Sequence, residues 1–203
     1  MKRRHFILAT SSAAVALALA ACSDKGPDTA AAAPAASAAP AAAKMPATEA
    51  YEAAAKASGF SVGPMMAAHT VYVFFDPTCP HCASLWMSAK PLATKLKVVW
   101  IPIGWLQRQS GPQGATILAS LDPAAAMNEN EASVLERRGG ITVPSTVPDA
   151  AVAKVKANTD LFNKLGAESV PLIVYKNGRT GEYGTHAGAV STEELAALAG
   201  LGA

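Results

Sequence analysis

Val71-Tyr72-Val73-Phe74-Phe75-Asp76-Pro77-Thr78-Cys79-Pro80-His81-Cys82 is the stretch on which the fold turns. Its first five residues are β-branched or aromatic and predict a buried strand. Asp76, Pro77 and Thr78 break that strand. Cys79 follows, and Pro80 takes the favoured first position of a helix, which helix-compatible residues carry from His81 to Leu96. Cys79 is therefore expected at a helix N-terminus, where unpaired N–H groups and the macrodipole stabilise a thiolate. His81 adds a nearby donor or positive charge that favours the same anion. Two thiols so placed make a redox device. A thiolate of low pKa leaves a mixed disulfide readily and makes the internal disulfide an oxidant.

The 203 residues are not all expected to fold. Lys2, Arg3 and Arg4 precede an apolar, small-residue run from Phe6 to Ala21, which has the form of a secretory leader (residues 1–21) and is set aside from fold reasoning. The leader ends Leu19-Ala20-Ala21-Cys22, which resembles the lipobox of bacterial lipoproteins and implies a lipidated Cys22. A cut near Ala20 or Ala21 without lipidation would leave a stray thiol beside the cleavage site. Arg3-Arg4-His5-Phe6-Ile7-Leu8 also resembles a twin-arginine export signal. Ser23 after the lipid cysteine is compatible with outer-membrane sorting.

Three of the 17 basic residues lie in the leader and none of the 15 acids does. The remainder thus carries 14 basic against 15 acidic side chains, and no basic face is implied. Nucleic acid is not an expected partner. Beyond Cys22 the only cysteines are Cys79 and Cys82. A bridge between them closes a two-residue loop and contributes little stability, so a structural staple does not explain the spacing.

Residues 22–58 read as the lipidated cysteine followed by an Ala/Pro-rich tether, with prolines too frequent for a stable helix. Thr48 to Ser58 is either a short docking helix or the frayed end of that tether. The folded domain is expected over residues 59–203. Within it the pattern predicts a strand over His69–Phe75, a helix over Pro80–Leu96 kinked at Pro91, and a strand over Lys97–Ile103. Three helices follow, over Pro112–Leu121, Pro123–Arg138 and Pro148–Leu165. Leu172–Tyr175 is a strand, Asn177-Gly178 gives a two-residue hairpin signal, and Thr180–Thr185 pairs back. Ser191-Thr192-Glu193-Glu194 is a capping box that opens the last helix.

This order resembles an α/β thioredoxin-like fold with a helical insertion between the second strand and the cis-proline hairpin. The block from Val71 to Cys82 resembles the active-site segment of the DsbG/DsbC thiol:disulfide interchange proteins, closest to DsbG. Ala115 to Pro123 and Asn163 to Ala167 resemble the same family, and the likeness extends over about Val71 to Ala199. It implies Cys79 as the exposed nucleophile, Cys82 as the buried resolving thiol, and Pro80 and His81 as tuning residues. It also implies a cis bond at Val170-Pro171, with Thr78, Val170 and Pro171 lining a substrate groove. No metal and no organic cofactor is implied.

Two features depart from that family. The place of its N-terminal dimerisation domain holds only the tether, so a monomer is expected. His81 and Val170 resemble the oxidase DsbA, which implies an oxidising centre. Val73 stands six positions before Cys79, where thioredoxins carry a buried acid that assists the second thiol. The expectation is a thiol:disulfide oxidoreductase in the periplasm, anchored by Cys22 with the outer membrane favoured. Its expected partners are exported protein thiols and disulfides and a membrane redox partner of the Dsb type. Oxidase, isomerase and sulfenic-acid reductase roles all remain open at this level. The rival reading is a metal-binding lipoprotein module built from Cys79, Cys82 and His81 with His69 or His186. Closed zinc sites usually draw on paired ligand clusters, and no second CxxC or HxxxH exists.

Overall fold

The computed structural model describes residues 45–202. The leader, Cys22 and the tether up to residue 44 lie outside the described residues. The five strands are β1 (Phe60–Val62), β2 (Thr70–Phe75), β3 (Lys97–Pro102), β4 (Leu172–Lys176) and β5 (Tyr183–Ala187). They form one sheet in the order β1-β3-β2-β4-β5. β2 and β3 are parallel, and the other pairings are antiparallel. The helices are α1 (Ala47–Ala54), α2 (Pro80–Ala89), α3 (Ser110–Ala119), α4 (Pro123–Leu135), α5 (Asp149–Lys164) and α6 (Thr192–Ala199).

β2 is the spine. Alternation along a strand sends Val71, Val73 and Phe75 to one face and Tyr72 and Phe74 to the other. On the first face Trp86 of α2 meets Trp100 with ring centroids 5.0 Å apart, and Phe60 and Phe75 complete the cluster. On the second, Phe162 of α5 lies 6.1 Å from Phe74 and Tyr51 of α1 lies 5.0 Å from Tyr72. Helices cover both faces, which is why β2 needs a near-continuous apolar run. Offset and edge-to-face ring pairs of this kind add about 0.5–1.5 kcal/mol each beyond the area buried.

Parallel β2 and β3 end at the same edge of the sheet, with Phe75 opposite Pro102. Antiparallel β4 begins at that edge, with Leu172 opposite Phe74. Topology therefore gathers the segment after β2, the loop after β3 and the Val170-Pro171 step at one place.

One open alternative is decided and three details differ from the sequence expectation. Residues 48–58 are not frayed tether. α1 buries Ala50 and Ala54, and Tyr51 also packs on Tyr183 at 5.2 Å. The packed unit therefore begins ahead of Gly59. β1 was unanticipated, because Phe60-Ser61-Val62 between two glycines carries no strand pattern. It pairs with Val98–Trp100 of β3, so closely that a Cβ on Gly59 would stand 2.6 Å from the Trp100 carbonyl oxygen. The redox helix does not continue through a kink to Leu96. It ends at Ala89 and tightens into a 3₁₀ turn over Lys90–Leu92, because Pro91 lacks an N–H and its ring excludes the carbonyl four residues back.

The hairpin is also wider than a two-residue turn, and Lys176 pairs with Tyr183. Asn177 and Gly178 are held by α6 instead: Asn177 Nδ2 donates to the Ala197 carbonyl at 3.0 Å and Gly178 N–H to the Ala199 carbonyl at 3.0 Å. The chain reverses at Gly181, whose φ is 76°. The capping box at Ser191 and Glu194 forms as the sequence predicts. Among the described residues no helix is long and apolar enough to cross a membrane.

Candidate active site

Asp76 closes β2, is fully buried, and organises everything that follows. Its Oδ1 accepts from the Thr78 N–H at 2.9 Å, the Thr78 hydroxyl at 2.7 Å and the Ser110 hydroxyl at 2.8 Å. Its Oδ2 accepts from the N–H groups of Trp105 at 2.9 Å and Leu106 at 2.8 Å. Five donors on one carboxylate offset the cost of burying its charge. They tie the active-site turn to the loop after β3 and to the start of α3. The sequence marks Asp76 only as a strand breaker. The signal that could have exposed its role is the Asx-turn pattern, in which an Asp side chain accepts from the N–H two residues on.

The turn delivers Cys79 to the N-cap of α2 with φ −89° and ψ 116°, and Pro80 stands at the helix start. The Cys79 N–H donates to the Asp76 carbonyl at 3.0 Å, and its own carbonyl accepts from Cys82 N–H at 3.0 Å. Across the edge, the Val170-Pro171 peptide is cis. The Cys79 thiol points at the Val170 carbonyl oxygen, with Sγ 3.7 Å from it.

Cys79 is only 3% exposed and Cys82 is 0% exposed. The expectation of an openly exposed Cys79 is thus corrected. Val170, itself buried, stands against the sulfur. Both cysteines are free thiols in this structure. The Cys82 thiol, hydrogen-bonded to the Cys79 sulfur, is the main cause that lowers Cys79 from 9.0 to about 6. Burial opposes that shift, while the N–H groups of Cys82 and His81 and the His81 charge assist it. Cys82 moves the other way. Burial pushes it well above the usual thiol range, and the hydrogen bond it gives to Cys79 adds to the rise. The pair is split into a ready nucleophile and a reluctant one, which is the division of labour disulfide exchange requires.

The structure therefore brings Cys79, Pro80, His81, Cys82, Val170 and Pro171 together. Thr78 is beside them, but it does not line a groove. Its hydroxyl is turned inward to Asp76, and the residue is buried. The half-exposed apolar surface next to the turn comes instead from Trp105 and Leu106, whose N–H groups Asp76 holds. Cys22 lies outside the described residues. The ligands of the metal reading are not assembled. His69 precedes the opposite end of β2 and is bound to the Ala199 carbonyl at 3.1 Å, and His186 lies on β5. Among the described residues no group of three His, Cys, Asp or Glu could hold a metal ion.

Sequence reasoning also missed α4 as a neighbour of the site. Asn130 Nδ2 donates to the Pro77 carbonyl at 2.8 Å, and the Trp86 indole N–H donates to Asn128 Oδ1 at 2.9 Å. Nothing in the polar run Asn128-Glu129-Asn130-Glu131 tells which of its members face inward.

No family model matches the chain. It is 28% identical over 156 residues to the thiol:disulfide interchange protein DsbG of Pseudomonas aeruginosa, covering 76% of this chain and 60% of that protein. It is 36% identical over 110 residues to DsbG of Escherichia coli, covering 52% and 42%. The chain thus spans 60% or less of the length of these relatives. Among solved structures it is similar to a periplasmic thioredoxin-like protein from Salmonella enterica serovar Typhimurium, with a TM-score of 0.58 at 16% identity, over 77% of this chain and 97% of the other. The catalytic domain of Proteus mirabilis ScsC matches with a TM-score of 0.57 at 17% identity, over 75% and 93%. A disulfide interchange protein from Neisseria gonorrhoeae matches with a TM-score of 0.53 at 23% identity, over 71% and 96%. Taken with the thiol pair, the cis-proline and the helical insert, these likenesses show a thioredoxin-like fold whose sequence is similar to part of DsbG.

Proposed function

We propose that the protein is a periplasmic thiol:disulfide oxidoreductase that exchanges disulfides with exported proteins through Cys79 and Cys82. The observation that carries this reading is the Cys79 sulfur at the start of α2, lowered to about 6 chiefly by the Cys82 thiol and lying 3.7 Å from the Val170 carbonyl oxygen. A substrate thiolate attacks Cys79 of the oxidised pair and forms a mixed disulfide, and Cys82 departs. A second substrate thiolate then displaces Cys79 and leaves as a disulfide. In the reverse direction Cys79 attacks a substrate disulfide and Cys82 resolves the intermediate. The backbone at Val170 and the apolar flank at Trp105 and Leu106 suit an extended client segment. A Dsb-type membrane partner resets the pair, and a lipidated Cys22 holds the protein at the bacterial membrane, with the outer membrane favoured. The folded unit works as a monomer.

The low thiolate pKa favours the reduced state, and so an oxidising couple. Alkylation of the reduced protein by iodoacetamide tests the reading. One thiol, mapped to Cys79, should react with a half-maximal rate near pH 6. A profile centred at the ordinary thiol value of about 8.5, or preferential labelling of Cys82, would overturn it.

A further inference from the structure

Glu131 of α4 is 1% exposed, and its Oε2 has no hydrogen-bond partner among the described residues. Its Oε1 accepts from Asn130 Nδ2 at 3.3 Å. A carboxyl taken out of water and left half unpaired is costly when ionised, so it keeps its proton. Burial pushes Glu131 up to about 9.

The position is not incidental. Met127, Glu131 and Val134 form a buried stripe at helical spacing on α4. That helix is fastened beside the thiols at two points, by Asn130 to the Pro77 carbonyl and by Asn128 to Trp86. The charges that meet Glu131 are those of Cys79, Cys82 and Asp76, and each opposes its ionisation or is opposed by it. His81 is exposed and acts on Cys79. On β2, Val73 supplies no acid six positions before Cys79; α4, which packs along α2, carries a buried one.

We propose that Glu131 exchanges a proton with the Cys82 sulfur each time the Cys79–Cys82 disulfide opens or closes. This rests on the disulfide-exchange reading above and deepens it. When a substrate thiolate attacks Cys79 of the oxidised pair, a substrate–Cys79 bond forms and the Cys79–Cys82 bond breaks. The electron pair leaves on Cys82, deep in the protein, where a naked thiolate is strongly disfavoured. The neutral Glu131 carboxyl supplies a proton, giving a Cys82 thiol and a Glu131 carboxylate. When a second substrate thiolate releases Cys79 as a thiolate, the new negative charge drives Glu131 to take a proton back from solvent. In the reductive direction Cys79 loses its charge on joining the substrate, Glu131 gives its proton to solvent, and the resulting carboxylate accepts the Cys82 proton. Cys82 then attacks Cys79, and the substrate sulfur departs with its electron pair. Each cycle moves two electrons between substrate and the thiol pair, and Glu131 ends as it began.

The test uses the full chain carrying Glu131→Gln, which keeps the shape and neutrality of the acid but cannot transfer its proton, and Glu131→Asp as the conservative variant. The oxidised proteins are mixed with a dithiol peptide from pH 5 to pH 10, quenched with acid, and scored for mixed and resolved disulfide. General acid–base groups contribute about 10²–10⁴-fold. Glu131→Gln should therefore slow opening at least about tenfold at pH 7 and lose the alkaline inflection that Glu131 gives the unmutated chain. Glu131→Asp should retain that inflection. The Cys79 alkylation profile should stay near pH 6 in all three, which a merely structural disturbance would not leave in place.

Opening rates within twofold of the unmutated chain at every pH would overturn the proposal alone. Failure of the unmutated chain to exchange at all would overturn the functional reading and this proposal with it. Carboxyl ¹³C NMR of the unmutated chain gives a check that no variant can spoil. One glutamate should titrate far above the rest and higher in the reduced protein than in the oxidised. Glutamates that all titrate in the ordinary carboxylate range in both states would overturn the proposal.

Discussion

Asp76 shows how much one side chain can hold at this site. Its carboxylate receives five hydrogen bonds, two from Thr78 in its own turn and three from Trp105, Leu106 and Ser110 far along the chain. Replacing it by Ala would strand several buried or half-buried N–H and O–H donors, at about 1–3 kcal/mol for each one left dry. We expect Asp76→Ala to lose about 3 kcal/mol or more in urea denaturation, and to raise the alkylation pKa of Cys79 as the turn loosens. Unchanged stability would mean that water replaces the carboxylate. The motif around Cys79 was fully legible in the sequence, because cysteine spacing and a proline at a helix start are local facts. The inward turn of Thr78 and the near-complete burial of Cys79 were not. The first follows from the burial of Asp76 and its bond to Ser110, the second from what the turn meets across the sheet edge.

At the scale of elements, α1 and the insert carry the lessons. α1 is short, and an isolated helix of this length is marginal in water, so its sequence alone could not separate docking from fraying. Its anchors are Ala50, Ala54 and Tyr51, the last with its ring against Tyr72 and Tyr183 and its hydroxyl donating to the Thr70 carbonyl at 3.4 Å. A chain beginning at Gly59 would uncover those tyrosines. It should lose about 2–3 kcal/mol on the scale of one large side chain's burial, read as a lower urea midpoint than that of a chain beginning at residue 45. An equal midpoint would make α1 a bystander. In the insert, the three helices and the starts of α4 and α5 are readable from their prolines and apolar pattern, whereas α3 begins two residues before Pro112 and α4 ends three before Arg138. That α4 would lie along α2, with Asn130 on Pro77 and Glu131 buried, is not readable, since the pairing of helices distant in sequence is set by packing.

For the whole molecule, the thiol pair links redox state to stability. Cys79 falls from 9.0 to about 6 in the folded reduced protein. A depressed acid stabilises the fold above its unfolded pKa, and that contribution is lost as pH falls through the folded value. Three units correspond to about 4 kcal/mol at most. The reduced protein should therefore gain stability over the oxidised protein between pH 6 and pH 9, and the advantage should vanish below pH 6. Glu131 works against this slope in absolute stability, because its raised pKa means that stability present at low pH is lost as pH rises toward about 9. Only the part of that effect common to both forms cancels when reduced and oxidised protein are compared. Thermal unfolding of both forms across this range checks the sign. A glutathione titration should give a potential above thioredoxin's value of about −270 mV, and one at or below it would contradict the oxidising reading.

The chain's own order of residues determined the strand, the turn, the helix start with its two thiols, the helical insert, the capping box and the proline before β4. These depend on local geometry and on patterns a few residues long. Only the tertiary structure decided which groups surround the sulfur atoms. Asp76 became a hub, Thr78 turned inward, Glu131 was buried without a full set of partners, and Asn177-Gly178 gave up its tight turn for α6. The physical reason is common to all four. A polar group's role is fixed by which donors, acceptors and charges it meets once water is excluded, and it is packing against segments far along the chain that excludes the water.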